Sequence, residues 1–420
     1  MLKMMNHKHS TRFRWVIVAL LFFITIINYI DRSSIAYAID NIAQEFHLSH
    51  EQCGFILGSF GIGYFLTTFL GGIAADHYGA HKTLTVATIL WGVATLLTGF
   101  ASSFYIVFIA RILLGVAEGP SFPCLAKATS DWLPEQERNR ALSASLIAVP
   151  LALAFGGLIS SHLILLFNWR GMYFVLTVAT LVWIPIWWII FRDKPSASKH
   201  VNAQERQYIQ QAPKIKSHIT HATHPWRILL RNKTLVSNNW AFFVFGFYLF
   251  FFMTWLPDYL SQTYHFKLMK IGIYTMLPWF TAALFMWLLG TLSDWIFQKT
   301  NNLRWSRSYP IIASQLLSGL CILPITWITS PESSIFFISL AVGFAMSANA
   351  PFYAVNVDIA KERAGTALGI MDAVFALSGF IAPMLTGLIV SWSGSFLIVF
   401  WILAALALSS VCVTLLWHNR

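Results

Sequence analysis

Ionisable residues stand inside runs that are otherwise apolar. Asp31 and Arg32 are adjacent inside the run 15–39, and Glu118 lies inside the run 104–128. Each run can cross a bilayer, which takes roughly 20 apolar residues. An ionised side chain at that depth costs about 2.5–3.5 kcal/mol on insertion scales, so such groups face a wet cavity or one another and mark a pathway by default. Neighbouring helix residues project about 100° apart; one of Asp31 and Arg32 can therefore address a cavity while the other meets a second helix. Glu118 sits about 14 residues into its run, roughly 21 Å at 1.5 Å per residue, near mid-membrane. A guanidinium offers a planar fork matched to a carboxylate. A carboxyl at this depth can exchange a proton, with burial set against nearby charge. The chemistry implied is anion recognition at Arg32 and proton coupling at Asp31 and Glu118. The structural alternatives are a standing Asp31–Arg32 ion pair and a protonated Glu118 bonded across helices. Arg111, two turns before Glu118 on nearly the same face, reads as structural, bonding carbonyls or polar groups near the first run.

The elements that position these residues follow from composition. Of 420 residues, 57% are hydrophobic and 11% charged, with mean hydropathy +0.64; soluble domains carry about 25% charged residues. Twelve runs are long enough to span, at about 15–39, 52–75, 83–101, 104–128, 141–167, 171–191, 235–261, 270–297, 309–328, 334–358, 364–390 and 395–417. No small-residue cleavage site follows the first run, which therefore reads as a span and not a removed signal peptide. The net charge of +11 is spread through the N-terminus, the break 192–234 and alternate loops. That is the positive-inside pattern, not the clustered basic face of a nucleic-acid binder. An even span count with a basic N-terminus places both termini in the cytoplasm. Arg170, Lys267 and Lys270 are exceptions. The four cysteines have neither disulfide nor metal spacing. No phosphate-cradling glycine loop of the Walker kind occurs, so no cofactor is expected and a proton gradient is the expected driving force.

The break divides the chain into 1–191, a linker 192–234, and 235–420, that is, two six-helix bundles facing each other across a midplane cavity. Asn202 to Glu205 has the form of a capping box opening a short helix through Gln211. His200, His218, His221 and His224 lack helical metal geometry and read as solvated. Weak duplication is visible: Gly72, Asp76, Gly79 and Lys82 follow the second span, and Gly290 and Asp294 stand at the matching place after the eighth. Asp76, Lys82 and Asp294 are the gating or structural candidates. Pro150, Pro257, Pro278 and Pro351 are expected to interrupt their helices.

The Asp76 loop resembles the signature loop of the major facilitator superfamily. The run from Arg111 through Gly115, Glu118 and Gly119 to Pro123 resembles the fourth-helix signature of its anion:cation symporter branch. So do Asn28, Tyr29, Asp31 and Arg32; Trp255, Pro257 and Tyr259; Asn168 to Arg170; and Asn202 to Arg206. The resemblance covers essentially the whole chain. It implies an all-α membrane protein with twelve transmembrane helices in two six-helix bundles, not an enzyme. It also implies proton-coupled symport of a small organic anion, such as a sugar acid or other carboxylate, across the inner membrane; one chain contains a full pathway, so a monomer is expected. On this resemblance Asp31 and Glu118 carry protons, Arg32 binds the substrate carboxylate and Tyr64 hydrogen-bonds the substrate. Asn28, Tyr29, Tyr248, Trp279, Asn349, Tyr353 and Asn356 are further cavity candidates. His162 reads as structural. Asp372 is a departure, because sugar-acid members of the branch carry Asn there. An ionised Asp accepts hydrogen bonds only, so either Asp372 is neutral, or the substrate is zwitterionic or carries an amine. The alternatives are a proton-coupled exporter of the same fold and an amino-acid or nucleoside carrier; a receptor or scaffold would have no need of intramembrane acids.

Overall fold

The computed structural model describes residues 11–210 and 225–418. Among these residues all regular structure is helical. Ten helices are long and apolar enough to span, and two of them are double. His50–Gly99 breaks at Gly79 (φ +84°), a conformation that glycine adopts without a Cβ penalty. There the Asp193 carboxylate packs against Gly79 and accepts the His81 N–H at 2.8 Å, so a side chain at position 79 would strike it. Glu135–Ile190 breaks at Asn168 (φ +59°), whose Oδ1 accepts the N–H groups of Arg170 and Gly171 and caps the helix that follows.

The twelve membrane helices are therefore α1 (Phe13–Phe46), α2 (50–78), α3 (80–99), α4 (Phe104–Trp132), α5 (135–167), α6 (169–190), α7 (Lys233–Tyr264), α8 (Leu268–Thr300), α9 (Arg304–Thr326), α10 (Pro331–Ala360), α11 (Ala364–Ser393) and α12 (Leu397–Trp417). Several outrun the apolar stretches that mark them. α1 continues to Phe46, and α2 begins at His50 behind a full capping box of Ser49 and Gln52. Hydropathy locates the apolar core of a helix, whereas caps set its ends.

Even numbers of spans put the two described chain ends on one side, the near side. Arg170 and Trp169, on the far side, donate to Glu45 at 2.6 and 2.9 Å, and Arg170 also reaches the Ala101 carbonyl at 2.8 Å. This base in a base-poor loop thus ties together the far ends of α1, α3 and α6.

The glycine-mediated approaches between the two bundles lie in the far half of the membrane. A Cβ built on Gly54, Gly58 or Gly61 of α2 would meet the α11 backbone at Gly387, Phe380 and Gly379 respectively. Gly157 of α5 lies against Tyr37 and Thr275, and the Tyr37 hydroxyl donates to Thr275 Oγ1 at 2.9 Å.

Helices α4, α8 and α10 break at Gly119–Pro120, Thr275 and Ala348. Pro278 and Pro351 each stand three residues beyond such a break, where a missing N–H costs nothing. Pro150 and Pro257 do not interrupt α5 or α7, which continue through them. Large apolar side chains such as Phe23, Phe69, Trp188 and Trp392 point outward, as expected where the solvent is lipid.

The linker helix Ala203–Gln210 forms half of the capping box, with Glu205 N–H donating to Asn202 Oδ1 at 2.8 Å. The Glu205 carboxylate does not complete it. It accepts from Thr11 Oγ1, from the N–H groups of Phe13 and Arg14, and from Arg14 Nη1 at 3.0 Å, so it caps α1 instead. Arg14 also pairs with Glu137 at 2.7 Å. His200 is exposed and stacks on Phe13; His218, His221, His224 and Gln211 lie outside the described residues.

Candidate substrate and proton site

Arg32 and Glu118 meet. Arg32 Nη2 and Nε donate to Glu118 Oε2 at 2.9 and 3.1 Å, and Nη2 also donates to Asn28 Oδ1 at 3.1 Å. Both side chains are 0% exposed. The guanidinium lies against the rings of Tyr29 and Phe60, each with its centroid at 4.4 Å, and Tyr64 at 4.9 Å. Among the described residues, Arg32 Nη1 and Glu118 Oε1 have no hydrogen-bond partner. Buried polar groups are normally paired, and a donor and an acceptor oxygen left over in one ion pair are what an anion and a proton respectively would satisfy.

Asp31 turns the other way, into the N-terminal bundle. Its Oδ2 accepts from Trp91 Nε1 and from Thr95 and Thr180 hydroxyls at 3.3 Å each, while Oδ1 has no partner among the described residues. The alternative of a standing Asp31–Arg32 pair is thereby corrected: the 100° offset sends Asp31 to α3 and α6 and Arg32 to α4. Arg111 donates to the Arg32 carbonyl at 3.2 Å, bracing α1 from α4. Trp91 and Thr95, one turn apart on α3, carried a readable polar spacing; Thr180 carried none.

Between the bundles lies a cavity of about 60 Å³, lined by Tyr29, Tyr64 and Phe122 on one side and by Phe242, Phe245, Asn349, Tyr353, Asp372 and Phe375 on the other. The Tyr353 hydroxyl donates to Asp372 Oδ1 at 3.3 Å. Tyr29 and Tyr64 thus have one face toward the cavity and one toward Arg32. Asn28 is set back, holding Arg32. Tyr248, Trp279 and Asn356 do not line this cavity. Tyr248 donates to the Leu403 carbonyl at 2.9 Å, and Asn356 is buried against Phe352 and Met371. His162 is exposed on α5. Phe242, Phe245 and Leu249 share one face of α7 by spacing, a signal lost in a helix apolar all round.

A model of the Major Facilitator Superfamily matches residues 21–303. The chain belongs to this superfamily. It is similar to a "Probable sulfoacetate transporter" of Cupriavidus necator, at 33% identity over 95% of this chain and 92% of the relative. It is also similar to a "Hexuronate transporter" of Bacillus subtilis, at 29% over 90% and 89%. A "Probable galactarate/D-glucarate transporter" of Escherichia coli matches at 29% over 92% and 89%. These relatives agree with the resemblance to the anion:cation symporter branch. The fold matches the crystal structure of a bacterial homologue of the lysosomal transporter Spinster in its inward-facing, unoccupied conformation. The TM-score is 0.75 at 17% identity, covering 97% of this chain and 95% of that one. The chain is a multi-pass membrane transporter, not an enzyme.

The superfamily's signature loop is not mirrored in the second half. Asp76 and Lys82 are exposed and join no ion pair or hydrogen bond among the described residues. Asp193, not Asp76, holds the turn at Gly79. At the equivalent place Asp294 accepts Arg307 Nη1 at 2.8 Å, with Asp358 at 3.7 Å from Arg307 Nε. The two loops read alike, but only the second has an arginine 13 residues on that folds back.

Proposed function

We propose that this transporter moves a small organic anion together with protons by alternating access, in the direction of uptake. The observation that carries the reading is the Arg32–Glu118 pair, buried behind Tyr29 and Tyr64 with one bare atom on each partner. A proton on Glu118 removes the charge that occupies Arg32, and a substrate carboxylate or sulfonate then takes the guanidinium fork. Loss of the proton restores the pair and expels the anion. Substrate and proton are thus linked by competition for one guanidinium. Asp31, with its bare Oδ1, is the second proposed proton site, and Asn28, Tyr29, Tyr64, Tyr353 and Asp372 are the proposed substrate wall. Relatives described as sulfoacetate, hexuronate and glucarate transporters support an anionic substrate.

The near side is proposed to be cytoplasmic, with both termini there and the chain in an inner membrane as a monomer. Residues 1–191 and 235–420 act as the two moving bodies, joined by 192–234, while Asp76, Lys82 and Asp294 serve the near-side gate. No bound cofactor enters this scheme. The test is accumulation of labelled sulfonates and sugar acids in proteoliposomes under an imposed pH gradient. Glu118→Gln should abolish accumulation while retaining exchange of labelled for unlabelled substrate, and Arg32→Ala should abolish both. Full pH-driven accumulation by Glu118→Gln would sink the coupling assignment.

A further inference from the structure

The charges around the cavity do not balance for a plain anion. Behind the N-terminal wall of Tyr29 and Tyr64, Arg32 is neutralised by Glu118. On the C-terminal wall Asp372 is the only acid among the lining residues, and no Lys, Arg or His lines the cavity with it. Its recorded hydrogen-bond donor is the Tyr353 hydroxyl. In its ionised form Asp372 accepts hydrogen bonds only, repelling a second anion and attracting a cation.

The walls around it are aromatic. Phe242 lies 5.3 Å from Phe375 and 5.8 Å from Tyr353, centroid to centroid, and Phe245 lies 6.0 Å from Phe375. Tyr29 and Tyr64 complete the enclosure from the opposite bundle. Aromatic faces carry negative potential, and a cage of them with one carboxylate is the recognised way of holding an alkylammonium group away from water.

We propose that the substrate is zwitterionic: a small carboxylate or sulfonate that also carries a cationic amine, the anionic end addressing Arg32 and the amine seated at Asp372 among Phe242, Phe245, Tyr353 and Phe375. This rests on the anion reading of Arg32 and narrows it. The two ends of the substrate then engage different bundles, so closing the cavity requires both.

The experiment measures binding to purified protein by ligand-induced thermal stabilisation. The ligands are matched pairs differing only in the cationic group: 2-aminoethanesulfonate against 2-hydroxyethanesulfonate, and 3-aminopropanoate against 3-hydroxypropanoate. The amino member should bind more tightly, on the order of tenfold. Asp372→Asn should erase or reverse that preference while hydroxy members still bind, and Arg32→Ala should remove both. Equal or better binding of the hydroxy members by the unaltered protein overturns the proposal while leaving the anion reading intact. Binding of simple amines that survives Arg32→Ala overturns the anion reading itself, and the absence of binding by every member overturns both. The comparison within the unaltered protein decides the matter even if Asp372→Asn fails to fold.

Discussion

The far-side seal between α2 and α11 gives the sharpest mechanical prediction. A Cβ placed on Gly61 would stand 2.6 Å from the carbonyl carbon of Gly379 and 2.9 Å from its oxygen, against 3.4–4 Å for ordinary contact. Those atoms are backbone and cannot turn aside, so Gly61→Ala must part the helices by nearly 1 Å. Overpacking of this kind costs about 1–3 kcal/mol. If the contact exists only while the far side is sealed, the cost falls on that state alone and shifts the balance toward far-side opening by about 5- to 150-fold. Alanine also favours an isolated helix by about 0.5–1 kcal/mol over glycine, so weakening of α2 itself cannot account for the shift. The reporter is already present. Cys53, 5% exposed, lines a far-side recess with Asp40 and Asp258. With the other three cysteines replaced, its labelling by a membrane-impermeant maleimide should rise at least several-fold in Gly61→Ala. Gly369→Ala is the control, since nothing lies within 4 Å of a Cβ there, and it should leave labelling unchanged. A folded Gly61→Ala protein in which Cys53 labels no faster than in the parent would refute the argument that this seam is the seal.

Other outcomes follow from single contacts. Glu118→Gln leaves the Arg32 guanidinium buried without its counter-charge. Breaking a buried pair costs about 3–5 kcal/mol, and the retained amide oxygen puts the expected loss at the low end, read as a lowered melting temperature in detergent. Trp91→Phe removes one of three donors to Asp31 and should cost about 1–3 kcal/mol; an unchanged melt would deny Asp31 its fixed role in the bundle. Glu205→Ala uncaps α1 and releases the linker helix. Amide exchange at residues 13–16 should accelerate by about tenfold, matching a cap worth roughly 1 kcal/mol, with the far ends of the helices unaffected.

What the sequence reveals and what it hides divide along a physical line. The number of spans, the depth of Arg32 and Glu118 and the structural bent of Arg111 follow from hydropathy, rise per residue and the cost of buried charge. The partner of Arg32 does not follow. Glu118 is 86 positions away, and which of two acids a guanidinium meets depends on helix rotations that no local pattern encodes. The same limit hides the aromatic face of α7, because in a helix buried all round the hydrophobic period carries no direction. The Asp76 and Asp294 loops show the converse. Their matching glycine and aspartate suggest one device used twice, yet the carboxylate that holds the first turn comes from Asp193 and not from the motif.

The two buried acids of the N-terminal bundle are therefore not equivalent, although both stand at membrane depth in the sequence. Asp31 accepts three donors from its own bundle, all on Oδ2. Glu118 has Arg32 as its recorded hydrogen-bond donor, and the tyrosines that screen this pair also wall the cavity. Removing the one partner of a buried charge costs more than removing one of several donors. On the proposed mechanism, substrate reaches that partner past Tyr29 and Tyr64, so that anion entry and proton uptake at Glu118 share a single step, and Asp31, the second proposed proton site, stands apart from it on the α3 and α6 side.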